Sequence, residues 1–234
     1  MYTVLTEKAL RLSFGVKVVD ELFPGFEGGD FAVLHGDAVS SMLFALAVRC
    51  QLPVYEGGIG SAIVFVDGGN SFRLYEVSEI AQLWRIDPME ALQRIFISRA
   101  FTAYQMTSIV VERLEETVEK YGAKLVLVSD VAGLYLDRDV PTEEAKVVFI
   151  RVVDSLTKLA EKRKLIVVST FHPHGCSRRN AFFRAVLCGK ANVVVSVGKS
   201  KGSSGRRFIL EKHSSLCLGR ADFPLQEFTV DQFV

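Results

Sequence analysis

The sequence is short of several things, and each shortage removes a class of protein. Its 234 residues hold four cysteines (50, 176, 188 and 217), none in a CxxC pair, which sets aside a disulfide framework and fits reduced thiols. Its apolar runs, such as 62–66 and 165–168, fall far short of the roughly 20 residues a membrane-spanning helix needs, so a soluble chain and no membrane partner are expected. The N-terminal string MYTVLTEK lacks a basic region feeding an apolar stretch, so no secretory signal is expected and a cytoplasmic location is. Repeats and low-complexity segments are absent. There are only three asparagines (70, 180 and 192), which fits a heat-adapted source. The shortage that matters most is local: no lysine lies between Lys17 and Lys120.

What is present describes a globular chain, 49% apolar and 24% charged, long enough to bury one sizeable core. The net charge of +1 conceals an asymmetry. Residues 158–220 carry 14 Lys or Arg against two acids, Glu161 and Glu211, a local excess of 12 positive charges. Such a segment either faces an anionic partner or neutralises the acidic remainder within the fold, and both readings stay open.

Short runs rich in Val, Ile and Leu at 31–35, 62–67, 94–98, 124–130, 164–170 and 192–198 look like strands buried on both faces. Helical periods alternate with them. Ile109, Leu114 and Val118 line one face of a segment, and apolar residues from Ala145 to Ala160 recur at three and four over 142–163. Asp87-Pro88-Met89-Glu90 is a helix start, with an N-cap Asp and a Pro at the first helical position. Strand and helix alternating at this spacing predict a mainly parallel sheet between helices, with ligands at the carboxyl ends of the strands. After residue 192, apolar runs at 193–197, 207–211 and 216–218 around a Gly/Ser turn predict an antiparallel hairpin at the sheet edge. One domain over 1–234 is the economical reading.

Several strings in this order resemble the core of the RecA/RadA recombinase superfamily, including the KaiC-like archaeal ATPases. Residues 14–25, FGVKVVDELFPG, are similar to the segment leading into that family's nucleotide-binding strand. VDGGNSFR at 66–73 is similar to its "DTENTFR" string, and DPME with ISRAF, from 87 to 101, to its "DP.E…VARAF" string. The resemblance implies a RecA-like α/β core without the N-terminal DNA-binding or polymerisation domain that precedes it in polymerising members, so long filaments are not expected without a partner subunit. Phe44-Ala-Leu-Ala47 spells the family's polymerisation motif but lies on a helix, where packing explains it.

The resemblance also implies a nucleotide site, and the chain departs from it. The family's phosphate loop, GxxxxGK[ST], presents backbone N–H groups and a lysine to the phosphates. Here the stretch is Gly36-Asp-Ala-Val-Ser-Ser-Met-Leu43. Aligned without a gap, Ser41, Met42 and Leu43 take the Gly, Lys and Ser/Thr places; with two residues deleted, Ser40 and Ser41 take the last two. Neither alignment supplies a lysine, and Asp37 adds repulsion. The family's catalytic glutamate, which activates water, is replaced by Gly69, with Asp67 two residues earlier. Asp130 ends the strand 125–130 where the family holds magnesium, though an Asp there also serves as a turn cap. His172 follows the next strand at the family's glutamine sensor. A vestigial nucleotide site is thus expected at Gly36, Asp37, Ser40, Ser41, Asp67, Asp130 and His172, with no catalytic residues, no resident cofactor and at most weak MgATP binding.

Of the two loops by which the family contacts DNA, the first, 132–140, is not basic. The second, 172–190, carries Arg178, Arg179, Arg184 and Lys190 with Phe182 and Phe183 between them, which suits backbone contact with base stacking or equally a helix with phenylalanines inside and arginines outside. Lys199, Lys201, Arg206 and Arg207 crowd the edge hairpin and complete the nucleic-acid candidates. His172, His174, Cys176, Cys188 and His213 match no zinc spacing, and no metal site is expected. The expected function is a catalytically silent RecA/RadA-like accessory or scaffold protein in DNA recombination or repair, with DNA and a recombinase-like or other protein as partners. The alternatives are a KaiC-like ATP-binding protein with an unorthodox phosphate loop and an interaction module that holds a peptide in the vacant groove.

Overall fold

A computed structural model of the chain describes residues 11–37, 39–172, 177–200 and 205–224. The strands are β1 (Arg11–Leu12), β2 (Phe26–Glu27), β3 (Phe31–Gly36), β4 (Ile63–Asp67), β5 (Ile95–Arg99), β6 (Leu125–Ser129), β7 (Ile166–Phe171), β8 (Val193–Lys199), β9 (Arg206–Lys212) and β10 (Gly219–Phe223). The helices are α1 (Lys17–Leu22), α2 (Val39–Arg49), α3 (Leu74–Leu83), α4 (Pro88–Gln93), α5 (Ala103–Ser108), α6 (Leu114–Tyr121), α7 (Thr142–Arg163) and α8 (Arg178–Lys190). β1 and β2 form a small ribbon. The other eight make one sheet in the order β10-β9-β8-β3-β7-β6-β4-β5, parallel from β8 to β5 and antiparallel at β9 and β10.

The continuous apolar strands are central because both faces are covered. β4 and β6 are buried at every residue, as is β7. Alternation then divides each strand between two cores. Ala32 and Leu34 of β3 and Leu125 and Leu127 of β6 pack with α1 to α4. Phe31, Val33, Val126 and Val128 pack with α5 to α8 on the other face. The apolar stretch of α2 is explained by burial of Val39 and of Met42 through Val48, which also places Phe44 and Ala47 in the core as packing residues. Helix α7 buries the stripe Ala145, Phe149, Val152, Val153, Leu156, Leu159 and Ala160, and Asp87 caps α4 by accepting from the Met89 and Glu90 N–H groups.

Two expectations need correction. The helical period around 109–118 contains a π-turn at Ile109–Arg113 between α5 and α6. This wider turn buries Val110, Leu114 and Val118 and leaves Ile109 half-buried. The last strand is Gly219–Phe223, not 216–218: Leu218 stays exposed while Phe223 enters the core opposite Arg206.

The order of strands positions the site. β3 and β4 are consecutive in this sheet's path, yet β7 and β6 lie between them. The chain therefore leaves their carboxyl ends in separated directions, and the ends of β6 and β7 open into the gap, the place where α/β sheets bind ligands.

At the other edge Phe14, Phe23, Phe26 and Phe208 form a fully buried aromatic group, with ring centroids 4.9 Å apart for Phe23 and Phe26 and 5.6 Å for Phe14 and Phe208. It ties the segment before β3 to β9. Replacing Phe208 by Ala is expected to cost about 3–5 kcal/mol, measured as a lower midpoint in urea unfolding.

Candidate functional site

Gly36 ends β3 at φ +106°, and a Cβ there would collide with the carbonyl oxygen of Val197 on the neighbouring strand β8. The same oxygen accepts the Asp37 N–H at 2.7 Å. Only residues 37 and 38 separate β3 from α2, so Ser40 and Ser41 already stand in the first turn of that helix. Met42 and Leu43 point into the core. The exposed Asp37 carboxylate faces Arg206 of β9 at 3.6 Å.

Asp67, at the end of β4, is fully buried and saturated. It accepts from Ser71 N–H (2.8 Å), Phe72 N–H (3.3 Å), Ser129 Oγ (2.9 Å) and Arg99 Nε (3.0 Å). Burial pushes this carboxyl up, but the bonds from Ser71, Ser129 and Phe72 and the Arg99 charge outweigh it and hold it below the usual range. Its task is to shape the turn after β4, where Gly68 and Gly69 follow. Gly68 leaves room for Met106, and a Cβ on Gly69 would lie 3.2 Å from Asp130 Cβ.

Asp130 follows β6 with φ +44°. Its N–H donates to Thr170 Oγ1 at 2.8 Å, and the Val131 N–H donates to the Thr170 carbonyl at 3.2 Å. Its carboxylate lies in space cleared by glycines: a Cβ on Gly133 would strike Oδ2. Beyond Asp130 the segment 132–140 forms a short turn whose Tyr135 is buried and bonded to Thr107 at 2.8 Å. His172 comes directly after β7. Its Nδ1 is 3.7 Å from Asp130 Oδ1 and its Nε2 is 3.5 Å from Ser40 Oγ. Serine, histidine and aspartate thus meet from three elements, a grouping that spacing could not reveal because 42 and 90 residues separate them along the chain. Ser40, Asp130 and His172 come together at the strand ends; Gly36 and Asp37 are engaged by β8 and β9 instead, Ser41 stands beside Ser40 on α2, and Asp67 is committed to its own turn.

A family model described as Rad51 matches residues 6–183, well over half of the chain. The chain belongs to the Rad51 family. The mostly parallel sheet between two helical layers, with an antiparallel edge, is the RecA-like α/β fold of that family, and membership places the chain among RecA-like recombination and repair proteins. No helix among the described residues is long and apolar enough to cross a membrane.

The Rad51-type match ends inside α8 and takes in Arg178 and Arg179, while the remaining candidate basic residues lie beyond it. Arg178 and Arg184 project outward from α8 and line a cavity of about 720 Å³ with His35, Phe171, Cys188 and Glu211. Phe183 is fully buried against Phe149, and Phe182 is half-buried with Lys146 over its ring. These rings belong to the core side of the helix, so base stacking by Phe183 does not hold. Several of the cations are engaged within the chain: Arg179 with the Asp137 carbonyl (3.2 Å), Arg184 with Glu211 (4.0 Å), Lys190 with Asp154 (2.7 Å) and Arg207 with Asp222 (2.7 Å). Arg178 and Lys199 are exposed. Lys201, His174 and Cys176 lie outside the described residues. His213 accepts from the Ser215 and Leu216 N–H groups and packs on Phe23, on the α1 side of the sheet, whereas Cys188 faces the α8 side.

A carboxyl held low contributes stability that is present above its unfolded value and lost as pH falls through its folded one. Asp67→Asn is therefore expected to cost about 1–3 kcal/mol at pH 7. The variant's urea midpoint is expected to fall less than that of the wild type between about pH 5 and pH 3, the range that brackets a free Asp.

Proposed function

We propose that this chain is a catalytically silent member of the family, an accessory subunit in DNA recombination or repair that does not turn over ATP. The β3–α2 junction carries the reading. A phosphate cradle needs a loop of several residues whose N–H groups converge on the anion, and a lysine reaching the outer phosphates. Two residues leave no such loop, Gly36 is pressed on Val197, and the Asp37 N–H is already bonded. The gapped alignment suits this turn, since the ungapped one buries Met42 where a lysine should emerge. Gly69 brings no carboxylate beside Asp130, and Arg206, a cation near the end of β3, is already paired with Asp37. MgATP and this set of residues do not fit each other.

The purified protein is expected to hydrolyse MgATP no faster than the protein-free background. Saturation at a hundred times Kd would add about 2.7 kcal/mol, or roughly 5–10 °C in Tm for a chain of this size; a shift below about 1 °C is expected at millimolar MgATP. Turnover that disappears in Asp130→Ala would overturn the reading in favour of an ATP-binding protein with an unorthodox loop.

The partner we propose is DNA, held through its phosphates on the outer face of α8 and the neighbouring β8 end. Arg178 and Lys199 support this because both are exposed and neither has an acidic partner among the described residues. Retention of single-stranded DNA is expected to fall steeply with salt. Arg178→Ala with Lys199→Ala is expected to reduce the slope of log K against log salt by about 0.7 for each phosphate that is no longer neutralised. Unchanged retention in the double variant would reject this face.

A further inference from the structure

We propose that Ser40, His172 and Asp130 form a nucleophilic site that accepts acyl groups from carboxylic esters. This goes beyond the silent-ATPase reading and uses the same crevice for different chemistry. Three observations point to it. The imidazole lies between a hydroxyl and a carboxylate, at 3.5 Å and 3.7 Å, and it presents a different ring nitrogen to each. A carboxylate at Nδ1 favours the tautomer with its proton there, which leaves the Nε2 lone pair facing Ser40 Oγ. Both separations exceed a formed hydrogen bond by a few tenths of an ångström, the looseness common in nucleophile–base pairs before substrate binds.

The second observation is support from the backbone. Asp130 and His172 are referred to one another through Thr170, which accepts the Asp130 N–H on its side chain and the Val131 N–H on its carbonyl, two residues before the imidazole. Gly69 and Gly133 clear the volume around the carboxylate. The third is the setting of the serine. It stands in the first turn of an eleven-residue helix that follows a central parallel strand, where N–H groups have no acceptor within the helix and the helix dipole favours negative charge. An oxyanion forming beside Ser40 Oγ would be stabilised there. The chain order Ser, Asp, His is that of the α/β-hydrolases. The G-x-S-x-G string of their strained elbow is absent from the sequence around Ser40.

In the proposed step Ser40 Oγ attacks the ester carbonyl carbon while its proton passes to His172 Nε2. The tetrahedral intermediate collapses, the carbon–oxygen bond to the leaving alcohol breaks, and His172 returns the proton to that alcohol. Water, deprotonated by the same nitrogen, then releases the carboxylic acid and regenerates Ser40. Asp130 acts as a positioning residue.

The test treats the folded protein with diisopropyl fluorophosphate, in which an oxygen–phosphorus bond forms at the serine and hydrogen fluoride leaves. Intact mass is expected to show one diisopropylphosphoryl group, mapped to Ser40 and absent from urea-unfolded protein. His172→Gln should slow labelling by about 100-fold or more. With p-nitrophenyl acetate, Asp130→Asn should lower kcat and leave KM unchanged. No label, a label on another residue, or an undiminished rate in a His172→Gln protein with native circular dichroism would overturn the proposal. The MgATP assay is separate, so either reading can fail alone.

Discussion

The close passage of β3 along β8 at Gly36 is the constraint from which the site follows. Gly36 has no side chain to hold the strands apart, and the Val197 carbonyl takes the next N–H, so the strand is held to its neighbour up to its last residue. The chain then has two residues in which to become a helix. That brevity puts Ser40 in the first helical turn within reach of His172, and it removes the loop that an anion would need. It also turns Asp37 toward β9, which is paired to β8 with Lys199 opposite Arg206, so the Asp37–Arg206 pair is a consequence of the same backbone approach.

The charge asymmetry of the sequence changes meaning once the chain is folded. Lys162 and Arg163 from the basic segment meet Glu115, and Arg163 also meets Glu119. Lys190 meets Asp154 and Arg206 meets Asp37. Part of the excess is therefore answered by the acidic part of the chain, and the rest stays on the surface. These are exposed pairs, worth little individually. Their effect is to take Lys162, Arg163, Lys190 and Arg206 out of the set of cations most open to an anion.

What can be read from the sequence follows from the range of the forces involved. The parallel strands are legible because burial on both faces forces a continuous apolar run, and the 142–163 helix because one buried stripe forces a period. The Asp87 cap is legible because its partners lie two and three residues away. The π-turn at Ile109–Arg113 is not, since one extra residue in a helical turn leaves no compositional mark. Nor is β10, whose alternating Arg220 and Asp222 look like a polar loop until β9 supplies their partners. Phe182 and Phe183 are ambiguous because aromatic residues between arginines fit either a stacking surface or an amphipathic helix, and only the position of Phe149 decides. Ser40, Asp130 and His172 each stand out in the resemblance for a different purpose. Their meeting is set by strand order, which no local pattern carries.

The crowding around Asp130 also bears on what further change the chain can accept. A side chain at position 69 would press on Asp130 Cβ, and one at 133 would strike its carboxylate. Each of these positions is fitted to the others as they now stand. Any residue larger than glycine at 69 or 133 therefore requires the Asp130 side chain to move, so the orientation of that carboxylate is held by what its neighbours lack.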